Sequence, residues 1–215
     1  MRANSAELSL TDRSNQNKPT TTTGTGHLNL QGSPEDLRFP IESINFNNKY
    51  ITVTGGQASD AGDTKSLLYG GWIRLDVPPN TNNNGYPILH ATTDTSFTIY
   101  VDSSGRINIS LSDYNNNDDG SYTVRTVDAV VAENVWVHFF IHVPTDANTS
   151  ANFKSKTKIY IDGHARTTQN PSDLGSPSLD PKVAMASYKI GHGPAEDNLS
   201  TGSGSGGDVF FDGNI

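Results

Sequence analysis

The chain has 215 residues, of which 33% are hydrophobic; its mean hydropathy is −0.52 and its formal net charge is −8. That length suits one large domain, and the polarity must gather in loops if the domain is to keep a core. The acidic balance and the lack of a long basic run exclude a nucleic-acid partner, since that affinity comes from Lys and Arg neutralising several phosphates. No cysteine is present to build a disulfide framework or a thiolate zinc site. No stretch approaches the roughly 18 apolar residues of a membrane span, and residues 1–16 lack the apolar core of a secretory signal. Neither a membrane partner nor signal-directed export is expected.

Residues 1–38 show no sustained periodicity, and KPTTTTGTG at 18–26 is a low-complexity polar spacer, so an extended N-terminal arm is predicted there. Within it HLNLQ at 27–31 alternates briefly, as a strand added to a neighbouring sheet would; an unstructured terminus is the competing expectation. The compact domain is predicted over residues 39–215. It begins with Ile44 and Phe46, then Ile51 and Val53, around a turn at Asn47-Asn48. In SLLYGGWIRLDV, Tyr69, Ile73, Leu75 and Val77 alternate against Leu68, Trp72, Arg74 and Asp76, and Gly70-Gly71 implies a bulge or a close backbone approach. PPNTNNNGY is turn chemistry, leading to a short strand at 87–91. SFTIYV and RINISLS, joined by DSSG, make the clearest hairpin, with Phe97, Ile99, Val101, Ile107, Ile109 and Leu111 as its core face. DYNNNDDGS is a further polar turn, followed by a strand in SYTVRTVDAVV.

Residues 134–165 hold the strongest pattern. In NVWVHFFIHV, Val137, Phe139, Ile141 and Val143 share one face and Trp136, His138, Phe140 and His142 the other. In KTKIYIDGHA, Ile159 and Ile161 face the core while Lys158, Tyr160 and Asp162 face away, and Asp162-Gly163 supplies a tight turn. The polar segment PTDANTSANFKS between them is predicted as a loop. An irregular proline-bearing stretch, a strand in MASYKIGHG, a flexible linker STGSGSGGD and a last strand in VFFDGNI complete about ten strands with no helix of useful length.

In this order, SINFNNKYITV, YGGWIRL, FTIYVDSSGRINISLSD, WVHFFIHV, KIYIDG, YKIGHG and GGDVFFDGNI resemble the concanavalin A-like, laminin-G-type jelly-roll family, and they cover most of residues 43–215. The resemblance implies a β-sandwich of two antiparallel sheets, one of them concave, and a role in binding glycans or proteins. Family members usually continue past the segment resembling FDGNI into one more strand near the first. The resemblance therefore implies that this strand lies beyond Ile215 or that another segment, such as the N-terminal arm of this or another copy, completes the edge.

Some enzymes share this sandwich, but retaining glycoside hydrolysis needs two carboxyl groups about 5 Å apart, and no acidic run here puts two acids on one strand face. His138 beside Tyr160 is the arrangement a polysaccharide lyase would use; a plain structural pair on the outer face is the stronger reading. Asn115, Asn117, Asp119 and Gly120 imitate the opening of a calcium loop, yet Thr126 stands where the bidentate Glu belongs, so no cofactor is expected. A calcium site assembled from Asp113, Asp118 or Asp119 with a distant carbonyl is the alternative. Sugar binding has the better physical case. Trp72, Arg74, Trp136, His138, Tyr160 and Asp162, if they share one outer face, offer aromatic planes to pyranose C–H groups and polar groups to hydroxyls. Aromatic pairs that merely stabilise the sheet are the equal alternative. Tyr86 and Tyr114, beside Asn-rich loops, are the second candidate site.

These observations lead to a non-catalytic binding or structural module. A domain of this family with a Thr-rich arm, no cysteine and no export signal fits a virion protein made in the host cytoplasm, of the phage capsid-decoration or fibre type. Its partners would be glycans or other virion proteins, with self-association or anchoring through the arm. A secreted, extracellular carbohydrate-binding module is the first alternative, and a polysaccharide lyase or glycosidase the second.

Overall fold

The computed structural model describes residues 20–23, 29–31, 43–54, 66–91, 95–113, 121–144, 146–147, 149–170, 187–193 and 209–215. Among them are seventeen strands, numbered β1 to β17 along the chain. One sheet has seven strands, in the order β12 (His164–Ala165), β11 (Lys158–Ile161), β10 (Val137–Val143), β5 (Leu67–Leu75), β17 (Gly213–Asn214), β3 (Ser43–Asn45) and β2 (Asn29–Gln31). The other has eight: β1 (Thr20–Thr23), β4 (Tyr50–Thr54), β14 (Ser187–Ile190), β6 (Tyr86–Ala91), β7 (Thr95–Val101), β8 (Ile107–Asp113), β9 (Ser121–Thr126) and β13 (Thr168–Gln169). A short pair, β15 (His192–Gly193) with β16 (Val209–Phe210), stands beside β6.

The sheets stack through the faces that period-two alternation assigned to the core. Phe97, Ile99, Val101, Ile107, Ile109 and Leu111 from β7 and β8 are all fully buried, as are Phe139, Ile141 and Ile159 from β10 and β11, in one continuous cluster. Antiparallel β10 alternates buried and half-buried residues without a break. Its register with β5 runs unbroken from Val137↔Ile73 to Val143↔Leu67. Gly70-Gly71 is therefore a close approach and not a bulge: a Cβ on Gly70 would lie 2.7 Å from the Phe139 carbonyl oxygen and 3.0 Å from the Phe140 ring. At Asn47-Asn48 the chain changes sheets, Asn48 taking a φ of 51° to do so.

Two expectations need correcting. The segment between β10 and β11 is not a plain loop, because it holds helix α1 (Ser150–Lys156). Thr149 caps it by accepting the Asn152 amide, Phe153 plugs into the core from its buried face, and Lys154 and Lys156 lie in its last turn where the helix dipole favours cations. Tyr86 is not a loop residue exposed for contact. The turn Asn82–Gly85 ends before it, so Tyr86 opens β6 with its ring in the core and its hydroxyl donating to the Pro78 carbonyl at 3.3 Å. Residues 20–23 and 29–31, inside the stretch expected to be an extended arm that could add a strand to a sheet, form the outermost strands β1 and β2 of the two sheets. β17, from the FDGNI segment, lies between β5 and β3, and β2 of the same chain pairs with β3 beyond it.

Candidate functional site

The outer face of the seven-stranded sheet is built by the residues that alternate away from the core on β5, β10 and β11, and the registers set them in rows. Trp136 follows the register into the row of Arg74. Trp72 lies opposite His138, which leads on to Asp162. Gly70 lies opposite Phe140, itself opposite Tyr160; Leu68 lies opposite His142, itself opposite Lys158. The Trp72 and His138 rings sit 5.1 Å apart at 56°, and the Phe140 and Tyr160 rings 6.0 Å apart at the same tilt. The Arg74 guanidinium lies 5.7 Å above the Trp136 ring. The Phe140 ring has room to lean over Gly70 because that position carries no Cβ. The six face residues expected from the sequence therefore do share one surface, and Phe140, Leu68 and His142 extend it. These rings are half-buried against one another and half-open, with Leu68 at 60% exposure.

His138 and Tyr160 are one row apart, and each ring packs on a different aromatic partner, Trp72 for His138 and Phe140 for Tyr160. Asp162 carries a φ of 51° at the hairpin tip, and its Oδ1 accepts the His138 amide at 3.0 Å. One of its carboxylate oxygens thus fixes the end of the face.

A polar corner closes the other end. Arg74 donates from one terminal nitrogen to Asp76 Oδ1 at 2.6 Å and to Asn214 Oδ1 at 3.0 Å, while Asn45 donates to Asp76 Oδ2 at 2.9 Å. Asn214, fully buried, donates in turn to Ser43 Oγ at 3.2 Å. Asp212 lies across from Asp76 where β17 meets the end of β5, and burial, then the Asp76 charge, hold its carboxyl above the usual carboxylate range. Both Asp76 oxygens are engaged, one by Arg74 and the other by Asn45. Two N–H donors here, Arg74 Nε and Trp136 Nε1, are buried without a hydrogen-bond partner.

The outer face of the eight-stranded sheet has a different character. His90, Thr98, Ser110 and Thr123 align in one row across β6, β7, β8 and β9, and all are buried although they face away from the core. His90 Nδ1 is 2.8 Å from Thr98 Oγ1. Burial, then His192 and Lys189, push the His90 imidazole down to about 4. Beside it His192 packs against Tyr50 and Phe210, and Lys189 lies 5.0 Å over the Tyr50 ring. Tyr114 and the calcium candidates Asn115, Asn117, Asp118, Asp119 and Gly120 lie outside the described residues, as does the side chain of Asp113. Among the described residues no group of three or more His, Asp or Glu side chains is placed to hold a metal ion.

No family model and no curated protein matches this sequence. Solved structures do: the receptor-binding domain of botulinum neurotoxin mosaic serotype C/D superposes with a TM-score of 0.53 at 15% identity, covering 95% of this chain and 43% of that one. The binding domain of botulinum neurotoxin serotype D gives 0.53 at 14% identity, covering 95% and 44%. The fold is a jelly-roll β-sandwich of two antiparallel sheets. The chain spans less than half the length of either toxin domain, and at this identity the likeness concerns the fold.

Sequence reasoning missed the corner. Asn214 and Arg74 are 140 positions apart and Asn45 and Asp76 are 31 apart, so only the placement of β17 between β5 and β3 brings them together. Phe140 was readable, since it shares its strand face with His138.

Proposed function

We propose that this chain is a non-catalytic binding module that engages glycans through the outer face of its seven-stranded sheet. The observation that carries the reading is the registered set of half-open rings, Trp72, His138, Phe140 and Tyr160, flanked by hydrogen-bonding side chains at both ends. Half-open rings present apolar planes to sugar C–H groups, and their mutual packing fixes them before a ligand arrives, which lowers the entropy lost on binding. The toxin domains that share the fold are themselves binding domains, which supports binding over chemistry. Calorimetric titration with oligosaccharides selected from a glycan array is the test. Trp72→Ala and Phe140→Ala are each expected to weaken binding by about tenfold or more, a loss of about 1.4 kcal/mol, with the far-UV circular dichroism unchanged. Unaltered affinity in both variants would refute this site.

The setting we propose is the surface of a virion, as a decoration or fibre subunit anchored by residues preceding β1. The lack of any sustained periodicity over residues 1–19 and the absence of cysteine support it. Full-length protein should copurify with virus particles in fixed stoichiometry, and a variant lacking residues 1–19 should not; equal association of both would remove the anchoring role.

A further inference from the structure

The glycan reading leaves open which sugars the face accepts, and the charges at its polar corner bear on that choice. An acidic glycan needs an uncommitted cation, because its carboxylate or sulfate loses hydration on reaching a half-buried surface. Arg74 is the cation within the aromatic rows, and it is already neutralised by Asp76 and bonded to Asn214. Asp212 stands across from Asp76 and adds a second carboxyl to the same corner. Lys158, the other cation of the rows, lies at the opposite end beside His142. A neutral acceptor, such as a hydroxyl or ring oxygen, meets no repulsion from the two acids.

We infer that this face selects neutral glycans over those bearing carboxylate or sulfate groups, with Asp76 as the residue that sets the selection. The inference rests on the glycan-binding reading. Its specificity is built by exclusion: the guanidinium that could have met an anion is occupied from within.

The test uses full-length protein on an array carrying neutral oligosaccharides beside their sialylated, uronate-bearing and sulfated counterparts. Neutral members should bind, and their acidic counterparts should bind about tenfold or more weakly. Asp76→Asn keeps the size of the side chain, releases Arg74 from its counter-ion, and should bring acidic members to within about threefold of neutral ones. Asp212→Asn leaves the Arg74 partners in place and should shift the ratio in the same direction by a smaller factor. Acidic members binding wild type as tightly as neutral ones would overturn the inference and leave the glycan reading standing. So would an unchanged ratio in both variants when their circular dichroism matches wild type. Absence of binding to every glycan would overturn the parent reading, and the inference with it.

Discussion

Replacing Gly213 by alanine is expected to lower stability by roughly 3 kcal/mol, the sum of backbone strain and overpacking in a closed site. Gly213 has a φ of 153°, and a Cβ built there would lie 2.0 Å from the Arg74 carbonyl oxygen and 2.9 Å from the Leu75 Cα. Both obstacles are backbone atoms of β5, a strand held on its other side by seven register pairs to β10, so neither can turn aside as a side chain would. The alternative to the clash is for β17 to move away from β5, which also withdraws Asn214 from Arg74 and from Ser43. Urea unfolding measures this directly: the midpoint should fall while the slope stays constant. Binding of any glycan that uses the Arg74 corner should weaken in the same variant. A stability within about 0.5 kcal/mol of wild type, the range of ordinary surface substitutions, would mean that β17 is not seated between β5 and β3.

Acidification should destabilise the fold through His90 by about 3 kcal/mol, since each tenfold loss of proton affinity on folding corresponds to about 1.4 kcal/mol. Its imidazole titrates near 4 in the folded chain against 6.5 as its ordinary value, with burial as the main cause and His192 and Lys189 as lesser ones. The sign follows from the lowered value. Above 6.5 the ring is neutral in both states and its contribution is complete. As pH falls from 6.5 toward 4, the unfolded chain takes up the proton first and the contribution is progressively lost. Protonation would also place a cation beside Lys189 and His192, with Thr98 as its hydrogen-bond partner among the described residues. Unfolding free energies at pH 7 and pH 4 should therefore diverge more in wild type than in His90→Asn, whose amide can still meet Thr98 but does not titrate. Equal pH dependence in the two proteins would remove His90 as the source.

The strands that matter most were legible because their cores and outer faces differ so sharply in composition. Val137, Phe139, Ile141 and Val143 alternate with Trp136, His138, Phe140 and His142, and this pattern fixes which face of β10 is buried before any partner strand is known. The tight turn at Asp162-Gly163 followed from residue type alone, and both residues take positive φ. Helix α1 escaped because seven residues with one apolar anchor, Phe153, make too little periodicity to read, and its stability comes from the cap and from burial of that ring. Tyr86 was misjudged because the Asn-rich turn beside it is a local signal, whereas the direction of its ring is decided by the core of β6. The polar corner was illegible for a related reason. A pattern within one strand cannot show that Asp76 will meet Asn45 or that Arg74 will meet Asn214, since those contacts exist only through strand order.

The chain contains two tryptophans, Trp72 and Trp136, and both belong to the candidate face. Intrinsic fluorescence therefore reports on that surface without any label. A glycan that binds by calorimetry should shift the emission and protect it from acrylamide quenching, with the same midpoint as the heat. Calorimetric binding that leaves both emission and quenching untouched would place the ligand elsewhere and contradict the assignment of this face as the binding site.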